Sequence, residues 1–200
     1  TITGSNPALI DGDFEEGYVY ARLFHDSLDN LSFPNTGYFS GITYKTNQEE
    51  LGADSDYEQL QMILSGAGTY QRYTVFSRAI FETTIDENAP FNALSRRGGF
   101  LELSGTLDRG MADQHFGLFE AAFYRRLGNI TFLPIYTGFS LETGGTWKSY
   151  EDINAENNIF AGSLFIGADT FAGPLYIAVG ATDDGDKALY FNLGETFLND

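Results

Sequence analysis

Ala188-Leu189-Tyr190-Phe191-Asn192-Leu193-Gly194-Glu195-Thr196-Phe197 sets Leu189, Phe191, Leu193 and Phe197 on one face of an extended segment and Ala188, Tyr190, Asn192, Gly194 and Thr196 on the other. A period of two is the period of a β-strand, because successive side chains leave opposite faces. One face here is bulky and apolar and the other is small or polar. That is the lining of a strand whose outer surface meets lipid and whose inner surface does not.

The same alternation recurs upstream. Leu175, Ile177, Val179 and Ala181 oppose Tyr176, Ala178, Gly180 and Thr182, and Phe171-Ala172-Gly173-Pro174 before them is short enough to make a hairpin. Phe160, Gly162, Leu164 and Ile166 alternate with Ala161, Ser163, Phe165 and Gly167, and Ile135, Thr137, Phe139 and Leu141 with Tyr136, Gly138, Ser140 and Glu142. Earlier strands read at 17–28, 37–47, 57–66, 71–85 and 114–127, with Leu60, Met62 and Leu64 against Gln59 and Gln61 the cleanest. These make nine candidates, whereas bacterial barrels carry an even number. The count therefore settles on about eight strands, within a range of eight to ten: residues 18–28 read as an irregular or extra strand, or residues 1–14 hold a tenth. The expected fold is all-β, a transmembrane antiparallel up-and-down β-barrel over 18–198, preceded by an N-terminal segment 1–17 that is irregular or a partial strand.

Connections alternate in length. Phe33-Pro34-Asn35-Thr36-Gly37, Gly66-Ala67-Gly68, Leu127-Gly128-Asn129 and Ala172-Gly173-Pro174 read as short turns, and 48–56, 86–113, 146–158 and 183–187 as long or acidic loops. Outer-membrane barrels show this asymmetry. Phe139, Phe160, Phe191, Phe197 and the single Trp147 read as interfacial girdle residues. A soluble ligand-binding barrel fits less well, because Tyr, Gly, Ser, Glu and Gln make too polar an interior for a filled apolar core.

Composition narrows the function classes. The 200 residues hold no cysteine, which excludes disulfides, thiolate metal sites and cysteine nucleophiles. Twenty-eight acidic residues against 11 basic give a net charge of −17, so no nucleic-acid partner is expected. No apolar run approaches the roughly 20 residues of a spanning helix. Thr1-Ile2-Thr3-Gly4-Ser5-Asn6-Pro7 lacks the basic and apolar regions of a signal peptide and reads as mature or trimmed. His25 and His115 are isolated and no Gly-x-Ser-x-Gly elbow exists, so no enzyme is expected. Asp183-Asp184-Gly185-Asp186 and Asp54-Ser55-Asp56 lack the spacing of a calcium loop. No metal or cofactor is expected.

The loop 86–113 is expected to fold inward. Glu120, Glu142, Arg125 and Arg126 lie on strands facing partly inward, because a charge on the lipid face costs a few kcal/mol at mid-depth. They make either a latch that holds the loop, with Arg96 or Arg97 as partner, or a plain lumenal salt-bridge plug.

Asp26-Ser27-Leu28-Asp29-Asn30-Leu31-Ser32-Phe33-Pro34-Asn35-Thr36-Gly37 resembles the Asp-x-x-Asp-Asn-x-x-Phe-Pro-Thr-x-Gly turn of the bacterial surface antigen barrels, the superfamily of outer-membrane assembly insertases and two-partner secretion pores. Gly99-Phe100-Leu101-Glu102-Leu103-Ser104-Gly105, with 116–127 after it, resembles the long inward loop and following strand of that superfamily, nearest in pattern to the barrel of patatin-like autotransporters. Residues 173–180 and 194–197 are similar to its last hairpin, so the likeness runs over about 18–197. Two departures stand out: Leu103-Ser104-Gly105 replaces an Arg-Gly-aromatic tip, and only about half of sixteen strands are present, as in the short branch without N-terminal domains.

The resemblance implies a bacterial outer-membrane location and insertion or transport of membrane proteins or lipids without catalysis. Its latch falls on Arg96, Arg97, Leu103, Ser104, Gly105, Glu120, Arg125 and Glu142. Its seam strand falls on Leu189, Phe191, Leu193 and Phe197, where a client outer-membrane protein or a second copy, giving a homodimer, would join. The alternative it leaves is the membrane-anchor or translocator barrel of a patatin-like phospholipase autotransporter.

Overall fold

The computed structural model describes residues 14–130 and 133–194. Within them lie β1 (Tyr18–Asp26), β2 (Thr36–Asn47), β3 (Tyr57–Tyr70), β4 (Tyr73–Thr84), β5 (Ser95–Arg97), β6 (Met111–Asp113), β7 (His115–Ile130), β8 (Leu133–Trp147), β9 (Ile159–Thr170), β10 (Gly173–Thr182) and β11 (Lys187–Leu193). Nine strands form one sheet in the order β1-β2-β3-β4-β7-β8-β9-β10-β11, every pair antiparallel, and β5 and β6 form a small hairpin inside the β4–β7 connection. Only single 3₁₀ turns break the β pattern among the described residues, and no helix is long and apolar enough to cross a membrane.

The strand positions follow the alternation, but the preference for eight strands does not hold. The segment set aside as irregular is a regular strand: all nine residues of β1 pair with β2 from Tyr18↔Asn47 to Asp26↔Phe39. Among the described residues the sheet is also open, since β1 pairs only with β2 and β11 only with β10. Two expected turns are moved as well. Gly66, Ala67 and Gly68 continue β3 opposite Ser77, Phe76 and Val75, and the chain reverses at Gln71 and Arg72. Gly128 marks a register shift in β7, which runs on to Ile130. Neither place ends its strand, and Gly128 sits at the bulge with φ +148°, a backbone conformation that favours glycine.

Short turns gather at one end of the sheet, the turn end, and the loops 48–56, 85–114, 148–158 and 183–186 at the other. Register carries the two faces across strands. Phe123, Phe139, Leu164, Val179 and Leu189 stand side by side on the outer face of β7 to β11, and Leu164 and Leu189 are 64% and 74% exposed. One step along, Ala122, Ser140, Ser163, Gly180 and Ala188 form the matching inner row. Apart from Ala168, flanked by Ile135 and Leu175, the buried apolar residues lie on this concave side or under the rim loops.

Curling of the sheet lets the concave side be filled from two directions. From the turn end, residues 27–35 fold beneath β7 to β10. The Asp29 carboxylate accepts from the amides of Asn35 (2.7 Å) and Thr36 (3.0 Å), and Asn30 Oδ1 from those of Ser32 (2.6 Å) and Phe33 (3.0 Å). This local closure delivers Phe33, fully buried, onto Tyr136 at 4.1 Å between ring centroids, with Tyr176 at 5.0 Å and Tyr124 at 6.2 Å. The hydroxyls of Tyr124 and Tyr176 donate to the carbonyls of Pro34 and Ser32, and Asn30 Nδ2 donates to Asp169 Oδ2 at 3.2 Å.

Trp147 is not a girdle residue. It is 7% exposed, and a side chain at Gly117 would lie 3.0 Å from its ring, so the glycine makes its seat. The exposed aromatics of the turn end are instead Tyr38, Tyr70, Tyr73 and Phe171.

Phe33→Ala removes the ring at the centre of this stack and should lower stability by about 3–5 kcal/mol. The check is a fall in the urea midpoint in detergent micelles, followed by Trp147 fluorescence. An unmoved midpoint would mean that residues 27–35 are not part of the core.

Candidate functional site

The inner faces of β4, β7 and β8 carry a charged row. Register sets Arg78 opposite Glu120 and Glu120 opposite Glu142. All three are almost wholly buried. Arg78 Nε and Nη2 each lie 3.0 Å from Glu120 Oε2, so one cation stands against two carboxylates in the row itself.

The connection between β4 and β7 completes the row. Its residues 101–105 enter the concave side, where Leu103 and Ser104 are fully buried. Arg78 Nη2 donates to the Leu101 carbonyl at 2.8 Å. Glu142 accepts the Ser104 amide (2.6 Å) and hydroxyl (2.8 Å) and the Ser140 hydroxyl (2.5 Å), and Ser140 is bonded in turn to Ser163 at 2.6 Å. A carboxylate with no guanidinium beside it is thus met by neutral donors, three of them on one side chain. From β11 the Tyr190 hydroxyl accepts from the Gly105 amide and donates to the Thr106 carbonyl, both at 2.7 Å.

Close backbone approach requires two glycines here. A side chain at Gly180 would lie 2.7 Å from the Gly105 nitrogen, and one at Gly105 would lie 2.7 Å from the Ala181 carbonyl carbon. Leu101 (φ +63°) and Leu103 (φ +70°) sit in the left-handed region. Such leucines cost of order 1–3 kcal/mol each and persist only where their surroundings over-determine them. The hydrogen bonds at Leu101, Ser104 and Gly105 are those surroundings.

A second cluster lies nearer the loop end. Glu82 of β4 is held by Arg97 through both nitrogens of the fork, by Ser95 Oγ (2.6 Å) and by Gln61 Nε2 (2.6 Å), while Arg97 Nη1 reaches Glu102 at 3.2 Å. The cation of the loop is therefore Arg97, but its wall partner is Glu82 and not Glu120 or Glu142.

The expected latch residues divide accordingly. Leu103, Ser104, Gly105, Glu120 and Glu142 come together, and Arg97 is adjacent. Arg96 stands apart, its guanidinium 4.8 Å from the Phe91 ring centroid. Arg125 is on the outer face near the turn end, exposed, 5.4 Å from the Tyr73 ring centroid. The periodicity places it there, since 125 shares a phase with Phe119 and Phe123. Arg78 and Glu82 were missed although the alternation of β4 sets both inward, because only register shows what they face. Of the seam residues, Leu189, Phe191 and Leu193 are exposed on the outer face of β11, and Phe197 lies outside the described residues.

Neither histidine forms a metal cluster, and no group of three candidate ligands exists among the described residues. His115, fully buried on the outer face, belongs to a rim clasp: Nδ1 is 2.8 Å from Thr83 Oγ1 and Nε2 is 3.3 Å from Glu87 Oε1. The same Glu87 oxygen accepts the Tyr150 amide (2.6 Å) and Ser149 hydroxyl (3.2 Å), tying two loops to the rim. Asp183 and Asp56 spend carboxylate oxygens on the amides of Phe160 and Glu49, as loop staples do.

No family model matches this chain, and no curated protein matches it in sequence.

Two outcomes follow. Arg78→Met leaves Glu120 buried beside Glu142 without its cation and should cost about 3–5 kcal/mol, while Arg78→Met with Glu120→Leu should regain most of it, since replacing both partners of a buried pair is near neutral. Urea midpoints of the two variants decide this, and equal midpoints would remove the row from the core. At the rim, the Tyr150 amide foremost, with His115 and Ser149, holds the Glu87 carboxyl below the usual carboxylate range against a smaller upward push from burial. The clasp's contribution is thus complete above the ordinary glutamate value of about 4.3 and disappears as pH falls through the lowered one. Acid titration of Trp147, which pairs with His115 across β7 and β8, should show this step, and Glu87→Gln should abolish it.

Proposed function

We propose that the chain is the lipid-facing wall of a bacterial outer-membrane β-barrel that carries an inward loop on its inner surface and acts, without catalysis, in the insertion or transport of membrane proteins or lipids. The observation that carries the membrane part is the contrast between the faces. Leu23, Ile42, Leu64, Phe139, Leu164, Val179, Leu189 and Phe191 stand exposed in a continuous outer band, while Arg78, Glu82, Glu120 and Glu142 are confined inside. Water would not tolerate so large an apolar surface, and lipid would not tolerate the charges reversed.

Two further features support it. The exposed tyrosines and Phe171 of the turn end match an interfacial belt, with Arg72, Arg125 and Arg126 at the same level. Carboxylates dominate the loop end, among them Glu49, Glu50, Asp54, Glu151, Asp152, Glu156, Asp183 and Asp184. The assembly or transport part rests on the resemblance of the 26–37 turn and the 99–105 loop to the surface antigen barrels.

A second reading is favoured by how fully the concave side is occupied between β7 and β11, by residues 27–35 from one end and 101–105 from the middle. A filled interior suits an anchor better than a conduit, and an anchor is what a patatin-like autotransporter barrel supplies.

The membrane part is tested by attaching an environment-sensitive fluorophore to single cysteines in liposomes. Labels at Leu64→Cys and Leu164→Cys should emit blue-shifted and be quenched by brominated lipid, and a label at Gln61→Cys should not; water-like emission at 64 and 164 overturns it. Removing the protein from its host separates the two readings. A changed complement of outer-membrane proteins or lipids supports assembly or transport, and an unchanged one with a displaced hydrolase supports the anchor.

A further inference from the structure

Three of the 11 basic residues of this acidic chain meet at the turn end. Arg72 lies in the turn between β3 and β4, and its carbonyl accepts the Arg126 amide at 3.2 Å, while Arg125 pairs in register with Tyr73. The three side chains therefore leave two adjoining stretches of backbone, and all three residues are exposed. Among the described residues no carboxylate forms an ion pair with any of them. Like charges so placed repel, although the chain holds 28 acidic residues that could offset them. The aspartates of this end are spent on local structure instead: Asp26 accepts the Leu28 amide at 2.9 Å, Asp29 those of Asn35 and Thr36, and Asp169 the Asn30 side chain.

The surface beside the cluster tells which anion suits it. The Arg125 guanidinium stands 5.4 Å from the Tyr73 ring centroid, Tyr73 is 6.1 Å from Phe123, and Phe123 is 5.7 Å from Phe139. These rings make an aromatic ladder across the outer faces of β4, β7 and β8. All three are exposed, as is Val75 opposite Phe123, so an apolar surface begins where the charge ends. The cations are all arginine, whose planar fork matches a phosphate with two parallel hydrogen bonds and sheds water more readily than an ammonium does. A ligand that meets both halves carries a phosphate at one end and hydrocarbon at the other.

We infer that Arg72 and Arg125, with Arg126 beside them, bind the phosphate of an anionic phospholipid whose acyl chains lie on Tyr73, Phe123 and Phe139. The inference rests on the membrane reading and deepens it by naming a lipid class and placing it in the leaflet at the turn end. The loop end, with its carboxylates, repels the same headgroup.

The test uses the full chain in detergent micelles, with phosphatidylglycerol as the probe and bound lipid counted by native mass spectrometry. The wild-type chain should retain phosphatidylglycerol over phosphatidylcholine of the same acyl chains, and the absence of a preference overturns the inference without recourse to any variant. Arg72→Gln with Arg125→Gln should weaken retention about 30-fold, at roughly fivefold per arginine near a membrane surface. Lys148→Gln with Lys187→Gln removes the same charge from the loop end and should leave retention unchanged. Loss from neither pair, or a loss from the loop-end pair as large as that from the turn-end pair, overturns the inference. Glycerol 3-phosphate has the phosphate without the chains; if it displaces the lipid at equal concentration, the cluster is a free-anion site and the lipid assignment falls. Any of these failures alongside blue-shifted labels at positions 64 and 164 overturns this inference alone, whereas water-like labels there overturn the membrane reading and this inference with it.

Discussion

A sheet with an apolar outer face has one place left for charge, and the arrangement of the inner face follows from that. Arg78, Glu120 and Glu142 fall into one row because their strands alternate in phase and pair in register. One guanidinium cannot serve two carboxylates that each need several donors when removed from water. Glu120 takes the guanidinium, and Glu142 takes hydroxyls and a backbone amide. The amide and one hydroxyl belong to Ser104, so the row is not satisfied by the wall alone. The inward position of the loop is in this sense a condition of burying Glu142.

The same constraint explains the strain at the loop tip. Offering the Ser104 amide to Glu142 and the Leu101 carbonyl to Arg78 requires chain reversals within five residues, and two leucines take left-handed backbone to make them. Facing Gly105 with Gly180 removes the side chains that would hold the tip off the wall. On the inner row Ala122, Ser140, Ser163, Gly180 and Ala188 are small for the same reason, whereas their outer neighbours Phe123, Phe139, Leu164, Val179 and Leu189 are large. Small residues inside give the loop tip room to reach the wall.

How far the sequence discloses this depends on the range of the interaction. The period of two is local, so the nine strands and the facing of Ser140, Glu142, Ser163 and Tyr190 are all legible in it. Discarding one strand to reach an even number applied a rule about closed barrels to a sheet whose described part is open. Turn positions are less legible, because Gly66-Ala67-Gly68 has turn composition yet pairs as strand once Ser77, Phe76 and Val75 lie opposite. Least legible is what depends on register and on loop paths. Arg78 was on the correct face without a visible partner, Arg97 had the expected charge but a different acid, and Trp147 needed the absence of a side chain at Gly117, thirty positions away, to be buried.

Filling of the concave side is uneven, and this bears on what the wall can do. Between β7 and β11 it is packed from two directions: the Phe33 stack is sealed by tyrosine hydroxyls on the carbonyls of residues 32 and 34, and the loop tip lies against β10. Beside β1 the concave residues Tyr18, Tyr20 and Phe24 are exposed, with Lys45 over the Tyr18 ring at 4.5 Å and the Arg22 guanidinium 5.6 Å from the Phe24 ring centroid. The space bounded by β7 to β11 is thus already occupied, and the concave face beside β1 is the more exposed of the two. Moving the loop would uncover Glu120 and Glu142 together, so its departure is costly unless other donors replace the Ser104 amide and hydroxyl.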